Sequence, residues 1–161
     1  MTRLIAIVGG VGLLRPAPGT WGSLVGLGLG VLVHMVGGAL LLVLATLAVT
    51  ALGYWAVQVE VGTSDEDPSE IVIDELAGQW VALWPVSVGA QMTGSEITAL
   101  YPGLIVAFLA FRFFDIFKPG PVGWADRQHG AFGIMADDVI AGWLAAMIVA
   151  LAAVLGHLLF L

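Results

Sequence analysis

Apolar and polar residues alternate along this chain in long blocks. From Leu24 to Val59, 36 residues pass without Asp, Glu, Lys or Arg, whereas one membrane crossing needs roughly 20 apolar residues. The stretch is long enough for a hairpin, and Gly37-Gly38 supplies its natural break. That gives a short arm, Leu24–Val36, marginal for a full crossing, and a full-length arm from Ala39 to about Val59. Further apolar runs cover Leu76 to about Met92, Leu100–Phe117 with Arg112 and Asp115 near its end, and Val139–Leu161. Leu4–Leu14, preceded by Arg3, resembles a signal-peptide core, but Arg15-Pro16-Ala17-Pro18 follows it and no A-x-A cleavage site is present. It is expected to remain as a short or re-entrant segment. The pattern predicts an all-α, polytopic membrane bundle of four or five membrane helices, forming a single domain over residues 1–161.

Composition supports the bilayer as solvent. The chain is 60% apolar and 11% charged, against about 45–50% and about 25% for soluble domains, so charge is too scarce to cover a water-facing surface. With a net charge of −7 and only five cations, Arg3, Arg15, Arg112, Lys118 and Arg127, no basic face exists to neutralise a run of phosphates, which excludes nucleic acid as a partner. The absence of cysteine removes disulfides, thiolate zinc sites and cysteine-based phosphatase chemistry.

Almost all the charge falls in four clusters, Arg15–Ser23, Glu60–Glu75, Arg112–Arg127 and Asp137-Asp138. If Leu24–Val59 is a two-arm hairpin, an even number of crossings separates each cluster from the next, and all four open on one membrane face. Arg3, Arg15, Lys118 and Arg127 fall on that face, while the Thr93–Thr98 loop opposite carries only Glu96. The positive-inside rule makes the shared face cytoplasmic.

Five carboxylates crowd this rim. Asp74 and Glu75 start one predicted helix, Asp115 lies three residues before Lys118-Pro119 ends another, and Asp137-Asp138 open the last. Each ionised acid at membrane depth costs about 2.5–3.5 kcal/mol on insertion scales, and packed acids also repel. A divalent cation answers both problems, and oxygen donors without cysteine favour Mg²⁺, with Mn²⁺ possible and Zn²⁺ disfavoured. Acids marking helix N-termini are the plainer explanation. Asp74-Glu75-Leu76-Ala77-Gly78 and Asp138-Val139-Ile140-Ala141-Gly142 share D-x-x-A-G. Gly78 and Gly142 would let two helices approach closely and bring their acids together.

Arg112, Asp115 and Lys118 recur at i, i+3, i+6, which suits either a phosphate site or an internally neutralised ion triad. Around Arg15, the Pro and Gly residues fix a turn in which Thr20 or Ser23 can cap the entering helix. Its free N–H groups, with Arg15, form a candidate anion site. Trp21, Trp80, Trp84, Trp124 and Trp143 read as interfacial anchors. His129 reads as a loop histidine, with a general-base role as the sharper alternative. Gly62–Glu70 reads as a solvated acidic loop, with an extra metal site as the lesser alternative.

Together, RPAPGTWGS (15–23), IVIDELAGQW (71–80), FRFFDIFKPGPVGWADR (111–127) and GIMADDVIAG (133–142) closely resemble the phosphatidylglycerophosphatase A family of bacterial inner-membrane lipid phosphatases. The resemblance implies a cytoplasm-facing site that hydrolyses phosphatidylglycerophosphate to phosphatidylglycerol and inorganic phosphate with Mg²⁺. Carried over by position, the family's acidic motifs fall on Asp74, Glu75, Asp115, Asp137 and Asp138, its basic positions on Arg112 and Lys118, and its Gly-Thr turn on Gly19 and Thr20. The expected mechanism places one or two Mg²⁺ on the acids. Arg112 and Lys118, with Arg15 and the Thr20 turn, neutralise the phosphate, and Asp74, Glu75 or Asp138 orients the attacking water. The P-S-G-H and D-x-x-D-G signatures of other phosphate-handling designs are missing. The alternative class is a small cation- or proton-coupled transporter, which would want acids near the bilayer midplane. A non-enzymatic membrane subunit would leave the rim cations unexplained.

Overall fold

A computed structural model describes residues 1–62 and 68–160. Its six α-helices are α1 (Thr2–Ala6), α2 (Pro18–Val61), α3 (Ile73–Thr93), α4 (Tyr101–Phe117), α5 (Pro121–Asp126) and α6 (Gly130–Phe160), with 3₁₀ turns over Val8–Leu13 and Ile97–Leu100. No strand occurs among the described residues. Pro18–Val61, Ile97–Phe117 and Gly130–Leu159 are long and apolar enough to cross a membrane. Their outer faces are apolar, with Leu44, Leu47, Ile105, Leu109, Met147 and Leu151 all exposed, as hydrocarbon solvent requires. The backbone polar groups are satisfied within the helices.

The hairpin forms where the sequence placed it. α2 breaks at Gly37-Gly38, and Gly38 adopts φ 68°, ψ −161°, a conformation open essentially to glycine alone. Both arms then pack on α3, in opposite directions. Along the first arm Gly22 faces Val72, Gly30 faces Leu83, and His34 Nδ1 and Ser87 Oγ share a hydrogen bond of 2.6 Å. At the turn the Ala39 N–H donates to Gln91 Oε1 (3.0 Å). The second arm runs back with Thr46 accepting from Trp84 Nε1 (3.2 Å) and Gly53 against Ile73. The short-arm expectation is corrected, since the helix starts at Pro18 rather than near Leu24. Proline's fixed φ suits the first helical position, and residues 18–36 then reach about 28 Å at 1.5 Å per residue.

α3 is the central element, buried along most of its length and flanked by both arms of α2, by α4 and by α6. That position corrects the reading of two tryptophans. Trp80 is 5% exposed and donates from Nε1 to the Gly26 carbonyl (2.7 Å), and Trp84 packs edge-on against Trp143 with ring centroids 5.2 Å apart. Both face neighbouring helices instead of the lipid boundary. The N-terminal segment is short, as expected, with a helix of five residues and a 3₁₀ turn. It lies over one end of the bundle, where the Ala6 carbonyl accepts from the Val72 N–H (3.0 Å), Thr2 Oγ1 donates to Glu60 (2.6 Å) and Arg3 pairs with Glu70 (2.7 Å). The 62–70 loop and its lesser metal-site reading fall partly outside the described residues.

Candidate active site

The two D-x-x-A-G segments cross each other. A Cβ on Gly142 would overlap the Gly78 carbonyl, and one on Gly78 would overlap the Asp138 carbonyl. The backbones of α3 and α6 therefore touch where both lack a side chain. One turn before each glycine, the acids meet: carboxylate oxygens of Asp74, Glu75 and Asp138 lie within 4.8 Å of one another. Asp74 and Glu75 occupy the first turn of α3, where the helix dipole favours negative charge. Asp137 and Asp138 do not open their helix as expected. α6 begins at Gly130, two turns earlier, so these acids stand inside it, level with the first turns of α3.

The cluster forms one wall of a cavity of about 320 Å³ whose lining includes Ala17–Thr20, Asp74, Glu75, Arg112, Asp115, Lys118, Asp137 and Asp138. All four polar blocks of the sequence thus contribute to one end of the bundle. The acids gather there rather than midway along the helices, contrary to the placement that the transporter alternative requires.

The cations are distributed as two pairs, not one triad. Arg112 pairs with Asp115 on its own helix and donates from Nη1 to Ser23 Oγ (3.2 Å). Lys118 caps α4 in a left-handed conformation (φ 46°) before Pro119, and its ammonium reaches Asp137 Oδ2 at 2.8 Å as well as Asp126. Partial burial opposes the Lys118 charge, but its hydrogen bonds to Asp126 and Asp137 outweigh that effect and raise its pKa above the ordinary lysine value.

The first turn of α2 closes the cavity. Ala17, rather than Thr20 or Ser23, is the N-cap, so the capping expectation is corrected. The first bond of the α2 ladder runs from the Trp21 N–H to the Ala17 carbonyl, which leaves the N–H groups of Gly19 and Thr20 ahead of it. Gly19 lets the Glu75 carboxylate come close, since a Cβ there would overlap it, forcing that side chain to shift, and would approach Arg112 Nη1 to 3.4 Å. Thr20 lines the cavity, but the structure does not bring Arg15 to it. Arg15 is exposed and lies 4.0 Å from Glu70. His129 is also exposed and outside the lining.

Several buried polar atoms have no hydrogen-bond partner: Glu75 Oε2, Asp138 Oδ1, Arg112 Nε and both amide atoms of Gln79. Orphaned carboxylate oxygens need a donor or a cation, and a converging set of oxygen ligands fits a hard divalent ion such as Mg²⁺. Gln79, fully buried one turn beyond Glu75, was not singled out from sequence. Its signal was an amide in an apolar helix at i+4 from an acid.

Comparison with known proteins bears on the chemistry of this cavity. No solved structure gives a significant match. The family profile for phosphatidylglycerophosphatase A matches residues 4–153. Over 152 residues the chain is 36% identical to a phosphatidylglycerophosphatase A of Haemophilus influenzae, covering 91% of this chain and 85% of the relative. It is 31% identical to a phosphatidylglycerophosphatase A of Escherichia coli K12, covering 89% and 78%. A protein of Bacteroides thetaiotaomicron provisionally named a phosphatidylinositol-3-phosphatase is 35% identical, covering 89% and 87%. With the profile matched along nearly its whole length, the chain belongs to the phosphatidylglycerophosphatase A family and is a membrane-embedded phosphatase.

Proposed function

We propose that this cavity hydrolyses the terminal phosphomonoester of phosphatidylglycerophosphate, giving phosphatidylglycerol and inorganic phosphate, with a divalent cation, Mg²⁺, held by Asp74, Glu75 and Asp138. The observation that carries the reading is the convergence of these three acids from two helices, two of them with buried oxygens that nothing else satisfies. When bound, the cation supplies Lewis-acid charge to phosphoryl oxygens and makes water acidic enough to attack at neutral pH. Arg112 supplies a planar fork, with its Nε still uncommitted, and Lys118 a second charge. Both neutralise phosphate oxygens while phosphorus is attacked in line. The Gly19 and Thr20 N–H groups add an anion-binding helix start. One of Asp74, Glu75 and Asp138 orients the attacking water and takes its proton. Asp115 and Asp137 hold the two cations in place and complete the acidic shell around the cation site. The acyl chains stay in the bilayer, so only the headgroup must enter. The cation-rich end of the bundle faces the cytoplasm of a bacterial inner membrane on this reading.

The test is phosphate release by the purified protein in detergent, with Mg²⁺ or with EDTA, from phosphatidylglycerophosphate and, as a second arm, from phosphatidylinositol 3-phosphate. Release from the first lipid that EDTA stops is the expected result. Asp74→Asn and Asp138→Asn should lose more than the roughly 10–100-fold typical of an outer partner of a metal site, with the helical fold retained. Full activity in EDTA, or in both variants, refutes the cation site; release confined to the inositol lipid refutes the assigned substrate.

A further inference from the structure

Ser23 is completely buried and does not line the cavity, and the chemistry above gives it no part. Its hydroxyl nevertheless joins two pieces of the site. It donates to the Gly19 carbonyl one turn earlier (2.8 Å) and accepts from Arg112 Nη1 (3.2 Å). The helix does not need this hydroxyl. Gly19 and Ser23 are spaced as an ordinary i→i−4 pair, and serine is a poorer helix former than alanine. A hydroxyl bonding back to the i−4 carbonyl slightly destabilises the helix that carries it.

The bond to Arg112 is what sets Ser23 apart. Arg112 stands on α4, and its ion-pair partner, Asp115, lies on the same helix, so that pair cannot fix the guanidinium relative to α2. Ser23 can, because it comes from the neighbouring helix at the level of the Gly19-Thr20 turn. The same turn approaches Arg112 at Gly19. Arginine has a long, mobile side chain whose value in phosphate recognition lies in a fork held in register. With Nη1 tied to Ser23, Nε remains buried and unpartnered, so the fork keeps donors for an incoming anion.

We infer that Ser23 is a positioning residue for substrate binding: its hydroxyl pins the Arg112 guanidinium against the first turn of α2, so that the guanidinium and the Gly19 and Thr20 N–H groups form one cradle for the headgroup phosphate. The inference rests on the phosphatase reading of the cavity. Hydrogen bonds to charged groups are strong enough that losing this one weakens anion binding by roughly 10-fold.

The experiment compares wild type, Ser23→Ala, Arg112→Lys and the double variant, purified in detergent and checked for helicity and monodispersity. Phosphate release gives KM and kcat, and inorganic phosphate gives a competitive inhibition constant. Ser23→Ala should raise KM and the phosphate inhibition constant together by roughly 10-fold, with a much smaller change in kcat. On the Arg112→Lys background the serine change should add nothing, because the hydroxyl acts only through the guanidinium. Ser23→Gly removes the same hydroxyl without adding an atom and carries the same expectation should the alanine variant fail to fold. Unchanged KM and inhibition constants, or losses that simply multiply in the double variant, overturn the inference. A wild type that releases no phosphate overturns the phosphatase reading itself.

Discussion

Gly142→Ala adds one methyl group at the crossing of α3 and α6, and the structure sets what it must do. The new Cβ would overlap the Gly78 carbonyl oxygen and stand 3.0 Å from both the carbonyl carbon and the Val81 Cβ. The main obstacle is backbone, which cannot rotate aside. The helices must part by on the order of 1 Å to restore ordinary van der Waals separation of about 3.5 Å. Asp138 and Asp74 each sit one turn before the glycines that touch, so the displacement falls on carboxylates that now lie within 4.8 Å of one another. Overpacking costs about 1–3 kcal/mol of stability, and misplacing a reacting group by about 1 Å can cost about 100-fold in rate. The assay is phosphate release in detergent alongside the thermal unfolding midpoint. Gly156→Ala serves as the control, since its Cβ meets nothing within 4 Å on the same helix. A Gly142→Ala protein with wild-type rate and midpoint would refute the claim that this contact sets the acid geometry. Equal losses in the Gly156 control would refute its specificity.

Two further outcomes follow from groups around the cavity. Lys118 has its pKa raised in the folded protein by Asp126 and Asp137, against the opposing effect of burial, so its contribution to stability is complete below the unfolded value and declines only as pH rises past it. Wild type should therefore exceed Lys118→Met in unfolding midpoint by a constant margin through the neutral range, and the margin should close only above about pH 10.4. A margin that closes near neutrality contradicts the pairing. Gln79→Met removes two buried amide atoms that lack partners, and should stabilise the metal-free protein by about 1–3 kcal/mol, read as a higher midpoint in EDTA. A lower midpoint would mean that the amide is satisfied in solution.

Those features of the fold that rest on covalent pattern were legible in the sequence. The hairpin followed from a charge-free run too long for one crossing and from Gly37-Gly38, because a backbone reversal inside an apolar run needs residues without Cβ constraints. The meeting of Asp74 with Asp138 followed from a repeated acid one turn before a glycine. Properties that depend on which neighbour a helix face meets were not legible. Trp80 and Trp84 looked like boundary residues because an indole in a membrane helix reads the same whether lipid or another helix faces it. Ser23 looked like a cap because its hydroxyl is a stronger capping group than the Ala17 side chain, although Pro18 itself suits a helix start, and its contact to Arg112 spans 89 positions of sequence. Arg112 and Lys118 had the spacing of a triad, but Lys118 leaves the helix in a left-handed turn and finds its acids on α5 and α6.

On the proposed reading the charge arrangement also sets an order of events. Five carboxylates line the cavity, and two of them are matched, Asp115 by Arg112 and Asp137 by Lys118. Asp74, Glu75 and Asp138 form no ion pair with the described cations. A phosphomonoester brings close to two further negative charges at neutral pH, and like unit charges about 4 Å apart repel by about 4 kcal/mol at an effective dielectric of about 20. An anion entering beside the three acids is repelled by the charge they carry, which Arg112 and the α2 turn offset only in part. On the proposed reading the divalent cation must therefore bind first, and phosphate affinity should be conditional on it. Inorganic phosphate should raise the unfolding midpoint with Mg²⁺ present and leave it unchanged in EDTA. In the doubly neutralised Asp74→Asn/Asp138→Asn protein the dependence on Mg²⁺ should weaken, because the repulsion that made the cation obligatory is reduced. Equal phosphate shifts in Mg²⁺ and EDTA would mean that the acids do not face the anion, and the shared cavity would need another explanation.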